Sequence, residues 1–455
     1  MPRLKTYSQA LKLFMFLSLI FVHGTCAWAA DSQEKLDFGQ IQHAYANGQF
    51  QDVLDSLDQL SEKEKGEGSA QRLKILSLAR LGKTKESIEA YDQTLKESDQ
   101  ENDALLRELA IAAILPFRTD MREQIRGAAY TALKEIHTED IVPYLEEGLE
   151  DKSGMIRALA AEGLAGLSSG RKSTRFRQAL KDKAGLVRAA ALRGLGRLAD
   201  PSTQPLIRPL LKDEVKLVQI TAAGTMIQLG HPEFWRRIQL EAQQGTGYER
   251  STAFRIMGEL GYDEALKILE QGLQDSQPSI RGAAASSLGK LHDKKAVGLL
   301  ISALNDNSPV VRSIASVSLG QLKAEQAIPA LTEGLHVTSP GVQAASVAAL
   351  LQLSSPFGLV VETVRMLMSD TNPGIRSGVA RALGNGHGRD VVNTLLLFLN
   401  DPVPKPRISA ARSLGRIGDR QALSRLKLAL RDQDEAVRAT AAAAIVRVLE
   451  SPNTL

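Results

Sequence analysis

The sequence predicts an all-α chain, an α-solenoid of stacked helix pairs, on three observations. The first is a clock: an Asp followed six residues later by an Arg returns every 31 residues. The Asp falls at Asp120, Asp151, Asp182, Asp213, Asp275, Asp306, Asp370, Asp401 and Asp432. The Arg falls at Arg126, Arg157, Arg188, Arg250, Arg281, Arg312, Arg376, Arg407 and Arg438. Gln244 and Val337 fill two empty Asp slots, Gln219 and Gln343 fill two empty Arg slots, and a single interval, Val337 to Asp370, is 33. Eleven units at one period mark an array in which each unit contacts its neighbours. The second observation is the spacing inside a unit. Counting the Asp as zero, apolar residues recur at offsets 5, 9, 13 and 16, as in Val187, Ala191, Leu195 and Leu198, which is one face of a helix. A polar loop follows, and a second apolar set near offsets 22, 25 and 29 (Ile328, Leu331, Leu335) gives a second short helix. The third is an earlier period of 34, between Gly48 and Gly82.

Taken from the N-terminus, residues 1–29 read as a secretory signal peptide. Arg3, Lys5 and Lys12 flank the apolar run Leu13–Val22, and Ala27-Trp28-Ala29 offers a small-x-small cleavage site. The run is short for a membrane span, so export to the periplasm or the medium is expected, with cleavage after Ala29. Removing those three basic residues leaves 53 Lys and Arg against 52 Asp and Glu, a net charge of +1. The high isoelectric point of the whole chain therefore argues little for nucleic acid. The only cysteine, Cys26, lies in the same segment, so the mature chain has no disulfide and no thiol nucleophile. Lipidation of Cys26 is the other reading, but His23-Gly24-Thr25 lacks the Leu of a lipobox.

Residues 34–102 hold the shorter period. The stretch 73–99 (LKILSLARLGKTKESIEAYDQTLKESD) resembles a tetratricopeptide repeat from its Leu-Gly turn through Ile88, Tyr91 and Leu95. Residues 43–60 form a weaker copy with a Leu54/Leu57 face, and 61–69 a charged loop between them. Two such units bury little core alone, so they are expected to stack on a helix around Asp103–Arg118. The resemblance implies peptide binding; capping of the array is the equal alternative.

From 103 to 450 the pattern D-x-x-x-x-[VI]-R-x-x-A-x-x-x-L-G resembles the HEAT-like repeats named after phycobilisome lyases, and residues 451–455 are a tail. The resemblance implies two TPR-like units followed by eleven HEAT-like units. The Asp is placed to bind free N–H groups where the Val-Arg helix opens. A catalytic pair is needed once, not nine times, so Asp151, Arg157, Asp182, Arg188, Asp275, Arg281, Asp306 and Arg312 read as rungs of a structural ladder within or between repeats.

Other motifs fail. Leu81-Gly82-Lys83-Thr84 ends like a phosphate loop, but Ser77 stands where the pattern needs Gly. His137, His231, His292 and His387 occupy equivalent loops of units one, four, six and nine. At about 8–10 Å per helix layer they are too far apart for one metal ion. No cofactor or metal is expected, and no catalytic set is marked.

The helical wheel assigns offsets 4, 7, 11 and 15 of each Val-Arg helix to the exposed side. Offset 7 is mostly small, with Ile220 and Ile408 as apolar exceptions; offsets 11 and 15 carry Arg193, Arg197, Arg255, Lys290, Arg381, Arg412, Arg416 and Arg447 against Glu135, Glu162 and Glu259. This reads either as a smooth, mildly basic groove for an extended or acidic segment or as a solvated face. Units four and five (213–274) lose the clock's Arg and then its Asp, and they gather Phe234, Trp235, Tyr248, Phe254 and Tyr262. Trp235 sits at a core offset. Ile220, Tyr248, Arg255 and Arg193 are the candidate partner-binding residues. The function expected is a non-catalytic exported scaffold that binds another protein. The alternatives are a lyase-like enzyme acting on bilins, which the resemblance suggests, and a nucleic-acid-binding solenoid, which the near-zero mature charge opposes.

Overall fold

The computed structural model describes residues 38–98 and 102–452, and the chain divides into two compact units, 1–73 and 74–455. The predicted signal segment 1–29, with Cys26, lies outside the described residues, as do the last three residues of the tail. No strand occurs among the described residues, and no helix there is long and apolar enough to cross a membrane.

In the first unit α1 (Phe38–Ala46) and α2 (Phe50–Asp58) pack on each other and on the start of α3 (Gly68–Arg80). Its core is Ile41, Val53, Leu57, Ala70 and Leu73. The buried i, i+4 pair of α2 is Val53/Leu57; Leu54, expected with Leu57, is half-buried.

The second unit begins inside α3 at Lys74. Gly82 takes φ +76°, a left-handed conformation that glycine adopts freely, and turns the chain into α4 (Thr84–Ser98). The Ser87 hydroxyl on α4 donates to the Ile75 carbonyl at 2.7 Å. Asn102 then caps α5 (Asp103–Ile114), its side chain accepting the Leu105 N–H.

Eleven Val-Arg helices follow: α6 (Glu123–Glu135), α7 (Gly154–Gly166), α8 (Gly185–Leu198), α9 (Lys216–Gln228), α10 (Gly247–Leu260), α11 (Pro278–Lys290), α12 (Pro309–Gln321), α13 (Pro340–Gln352), α14 (Pro373–Leu383), α15 (Pro404–Ile417) and α16 (Glu435–Glu450). Nine of them open on the clock's Asp, though one step earlier than expected, while Gln244 and Val337 stand in that slot ahead of α10 and α13. Asp182 accepts the N–H of Ala184 (2.7 Å), which is itself the N-cap residue of α8. Asp213 and Asp306 likewise accept the N–H groups of Val215 and Ser308. The side chain thus closes an Asx turn into the helix. Within α8 Val187, Ala191 and Leu195 of the predicted stripe are fully buried, while Leu198, its last member, is half-buried.

Each Val-Arg helix packs on the one before and the one after, while the segments between them, broken into short α and 3₁₀ pieces, pack mostly on the Val-Arg helix that follows them. The Val-Arg helices are therefore the tight inner layer of a curved wall. Close approach needs small residues: a Cβ on Gly194 would lie 2.6 Å from both Phe176 Cζ and Ala165 Cβ.

The wall closes. α16 packs on α6 as it packs on α15, and also on α5, burying Val437, Ala441, Ala444, Ile445 and Val448. Ion pairs cross the closure: Arg107 bridges Asp140 (2.9 Å) and Glu450 (2.5 Å), Arg420 meets Asp103 (2.7 Å), and Arg412 meets Glu135 (2.5 Å). Arg431 reaches Asp92 on α4 at 3.0 Å, and Lys427 lies over the Tyr91 ring. The eleven units form a ring whose inner layer is the eleven Val-Arg helices.

Candidate functional site

The Asp–Arg series resolves into a ladder between neighbouring units. Arg157 Nε lies 2.7 Å from the carboxylate of Asp182, one unit on, and Nη1 donates to the carbonyl of its own unit's Asp151 at 2.8 Å. The same fork recurs at Arg126–Asp151, Arg188–Asp213, Arg281–Asp306, Arg376–Asp401 and Arg407–Asp432, and Arg250 meets Asp275 at 2.5 Å. So Asp275 is held from unit five while its own Arg281 reaches forward. The rungs are nearly dry: Arg188 and Asp213 are each 7 % exposed. Burial works against ionising Asp182, but the Arg157 hydrogen bonds and the Ala184 N–H outweigh it and hold the carboxyl below its ordinary range. Asp306 is lowered in the same direction, chiefly by Arg281.

Arg312, expected as an equivalent rung, is not one. Its forward slot holds Val337, and the guanidinium bonds only the carbonyls of Asp306 (2.7 Å) and Asn307 (3.3 Å). At the ring's closure Arg438 stacks over Phe117, and Asp120 is taken by Arg122, which also reaches Glu435 at 3.3 Å.

Ile220 is a second correction. It is fully buried, so it cannot offer an apolar contact to a partner. Offset 7 faces the adjacent inner helix rather than the bore, as Ala158, Ala189 and Gly282 are buried too. Its small residues are spacing for side-by-side packing: a Cβ on Gly282 would meet Ile314 at 2.9 Å. Trp235 is half-buried, its ring 4.9 Å from that of Tyr262.

The exposed inner face is offsets 4, 11 and 15, and it holds the other three candidates. At offset 4 four successive units present Met155 (57 % exposed), Leu186 (39 %), half-buried Leu217 and Tyr248 (61 %). They border a shallow cavity of about 410 Å³ that Arg193 and Arg255 also line. Sequence reasoning placed Tyr248 here but missed the other three, although offset 4 read unit by unit carries them.

Beside this apolar shelf lies a cavity of about 480 Å³ bordered by Arg193, Arg197, Arg255, Lys290 and Thr221. Arg193 pairs with Glu162 at 3.3 Å and Arg255 with Glu259 at 2.9 Å. Burial, then the neighbouring Arg255 charge, pull the Arg193 guanidinium below its ordinary pKa. The gap between the two arginines is Gly224 of α9, which occupies their offset; a Cβ there would meet Ile256 at 2.8 Å. The wall therefore offers contiguous apolar contact and clustered positive charge. Among the described residues no three His, Cys, Asp or Glu side chains stand close enough to hold a metal ion.

Solved structures similar to this chain include human deoxyhypusine hydroxylase in complex with glycerol (19 % identity, 55 % of this chain and 98 % of that one, TM-score 0.29). They also include the CpcE and CpcF complex of phycocyanin lyase from Nostoc sp. PCC7120 (20 %, 58 % and 94 %, 0.34) and a Kap121p mutant (13 %, 89 % and 56 %, 0.30). No curated protein matches the sequence. The model of HEAT repeats matches residues 173–235, 237–315, 271–352 and 361–447, more than half of the chain. The chain belongs to the HEAT-repeat family.

Proposed function

We propose that this protein is a non-catalytic, exported scaffold that holds another protein against the inner wall of its ring. The observation that carries this reading is the shelf and pocket on α7–α11, where apolar side chains and clustered arginines share one continuous stretch of the inner wall. Exposed aromatic and Arg residues on a rigid wall are the usual anchors of a protein interface, and a repeat array offers them at fixed spacing. Eleven inner helices about 8–10 Å apart enclose a bore of about 20 Å once helix diameters are subtracted, room for an extended chain or a single helix. Export rests on the charged, apolar and Ala-x-Ala order at the N-terminus.

Crosslinking in the native cell envelope, followed by mass spectrometry, tests both parts. A protein crosslinked to Tyr248 or its neighbours in a chain cleaved near Ala29 is the expected result. Recovery of the chain with Met1 intact in the cytoplasm removes the export half; crosslinks confined to the outer segments remove the wall.

A further inference from the structure

We infer that the cavity between Arg193 and Arg255 is a carboxylate-recognition pocket, and that its occupant is an extended partner segment with an apolar side chain three residues from an Asp or Glu. This rests on the scaffold reading above and adds the chemistry of what the wall holds.

The pocket carries more cation than its own acids satisfy. Four basic side chains border it, Arg193, Arg197, Arg255 and Lys290. Glu259 engages Arg255, and Glu162 is shared between Arg193 and Lys134, which lies outside the pocket. Two buried donors are also unspent: Arg255 Nη2 and the Thr221 hydroxyl have no hydrogen-bond partner. Thr221 is 2 % exposed and borders the cavity. A buried donor left unpaired costs about 1–3 kcal/mol, so an arriving anion gains what the empty pocket lacks. Gly224 borders the same space and brings no side chain to it.

The spacing selects the segment. Tyr248 and Arg255 stand seven residues apart on α10, as do Leu186 and Arg193 on α8. Seven residues of helix rise about 10.5 Å, and an extended chain of polyproline-II type covers about 9.3 Å in one three-residue turn, which returns the third side chain to the same face. A peptide lying along these helices thus sets an apolar side chain on the shelf and a carboxylate in the pocket when the two are three positions apart. The occupant is a peptide carboxylate rather than a free anion because the shelf adjoins the pocket and shares Arg193 and Arg255 with it.

The test is fluorescence anisotropy of the full chain with a fluorescein-labelled peptide containing Leu-Ser-Ser-Glu in Gly-Ser flanks. The Gln and Ser-Ser-Ser-Glu versions serve as controls, and inorganic phosphate as competitor. The Glu peptide should bind at least about ten-fold tighter than either control, the loss expected when a charge-assisted bond or an anchor goes. R193Q/R255Q should abolish that preference. T221V should weaken it without lowering the melting midpoint, since a methyl replaces a hydroxyl that has no partner. Equal binding of the Glu and Gln peptides overturns the pocket. Phosphate that competes as well as the Glu peptide makes it a small-anion site and overturns the peptide. If the native partner still crosslinks to a folded R193Q/R255Q wall, the pocket fails while the scaffold stands. If the wild-type ring binds the Glu peptide but crosslinks to no protein, the scaffold reading fails and the carboxylate chemistry stands.

Discussion

The interface between units three and four and the interface between units four and five are one period apart, and they are held differently. In the first, Arg188 forks onto Asp213 and the Asp182 carbonyl. In the second both rung positions are Gln: Gln219 Nε2 still donates to the Asp213 carbonyl at 2.6 Å, but Gln244 offers no carboxylate. Arg237, from the outer segment, comes in instead, donating to Gln219 Oε1 (2.7 Å) and the Leu211 carbonyl (3.0 Å). The backbone half of the rung is kept and the charged half is exchanged. At both interfaces the carbonyl that ends the outer segment has a side-chain donor, whereas the ion pair is one of several ways to supply the rest.

Removing a whole rung should have the largest effect. Arg157→Ala strands the nearly dry Asp182 carboxylate, and breaking a buried pair from one side costs about 3–5 kcal/mol. The loss is read as a drop in urea midpoint. A drop no larger than that of an exposed Arg, such as Arg365→Ala, breaks the comparison.

Arg281→Ala against Arg312→Ala sharpens it. The first strands Asp306; the second removes only bonds to carbonyls, about 0.5–1.5 kcal/mol each. Arg281→Ala should be clearly the worse, and equal midpoints would mean the carboxylate adds nothing to the rung.

Acid titration reads the same carboxylates together. Asp151, Asp182, Asp306 and Asp401 are held below the ordinary Asp range in the folded chain. A depressed folded pKa contributes stability that is complete above the unfolded value, about 3.9, and is lost as pH falls through the folded one. The melting midpoint should therefore hold from neutrality to about pH 4 and fall below it, less steeply in Arg157→Ala.

These contrasts also mark what was legible. The ladder, the helix pairs and the surface positions of Tyr248 and Arg255 follow from the 31-residue period, because period and offset fix which face a side chain takes. Ile220 was misread because a wheel separates buried from exposed around one helix but does not know that inner helices touch along their flanks. Ring closure was not legible at all. Eleven units close only when each turns about 33° relative to the last, and that angle depends on the difference in packing between inner and outer layers, which no periodicity encodes. Arg312 stands with the other rungs as long as its partner is left open between its own and the adjacent repeat; matching it forward to Val337 exposes the gap.

The smallest effect is expected from rebuilding the missing rung. In Gln219→Arg with Gln244→Asp, the new guanidinium takes the Asp213 carbonyl and the new carboxylate, as Arg188 does one unit earlier. Arg237 then loses its bond to Gln219 Oε1 and is pushed aside by like charge. Gains and losses are each about one or two hydrogen bonds, so the net change should stay within about 1 kcal/mol. Gln219→Arg alone sets two cations beside Gln244 without a carboxylate and should destabilise, so the double-mutant cycle carries a favourable coupling. If the double variant gains as much as Arg157→Ala loses, Arg237 is a poor substitute and the gap is simple loss. A near-zero net change with favourable coupling means the interface was rebuilt from the outer layer, with Arg237 in place of the ion pair.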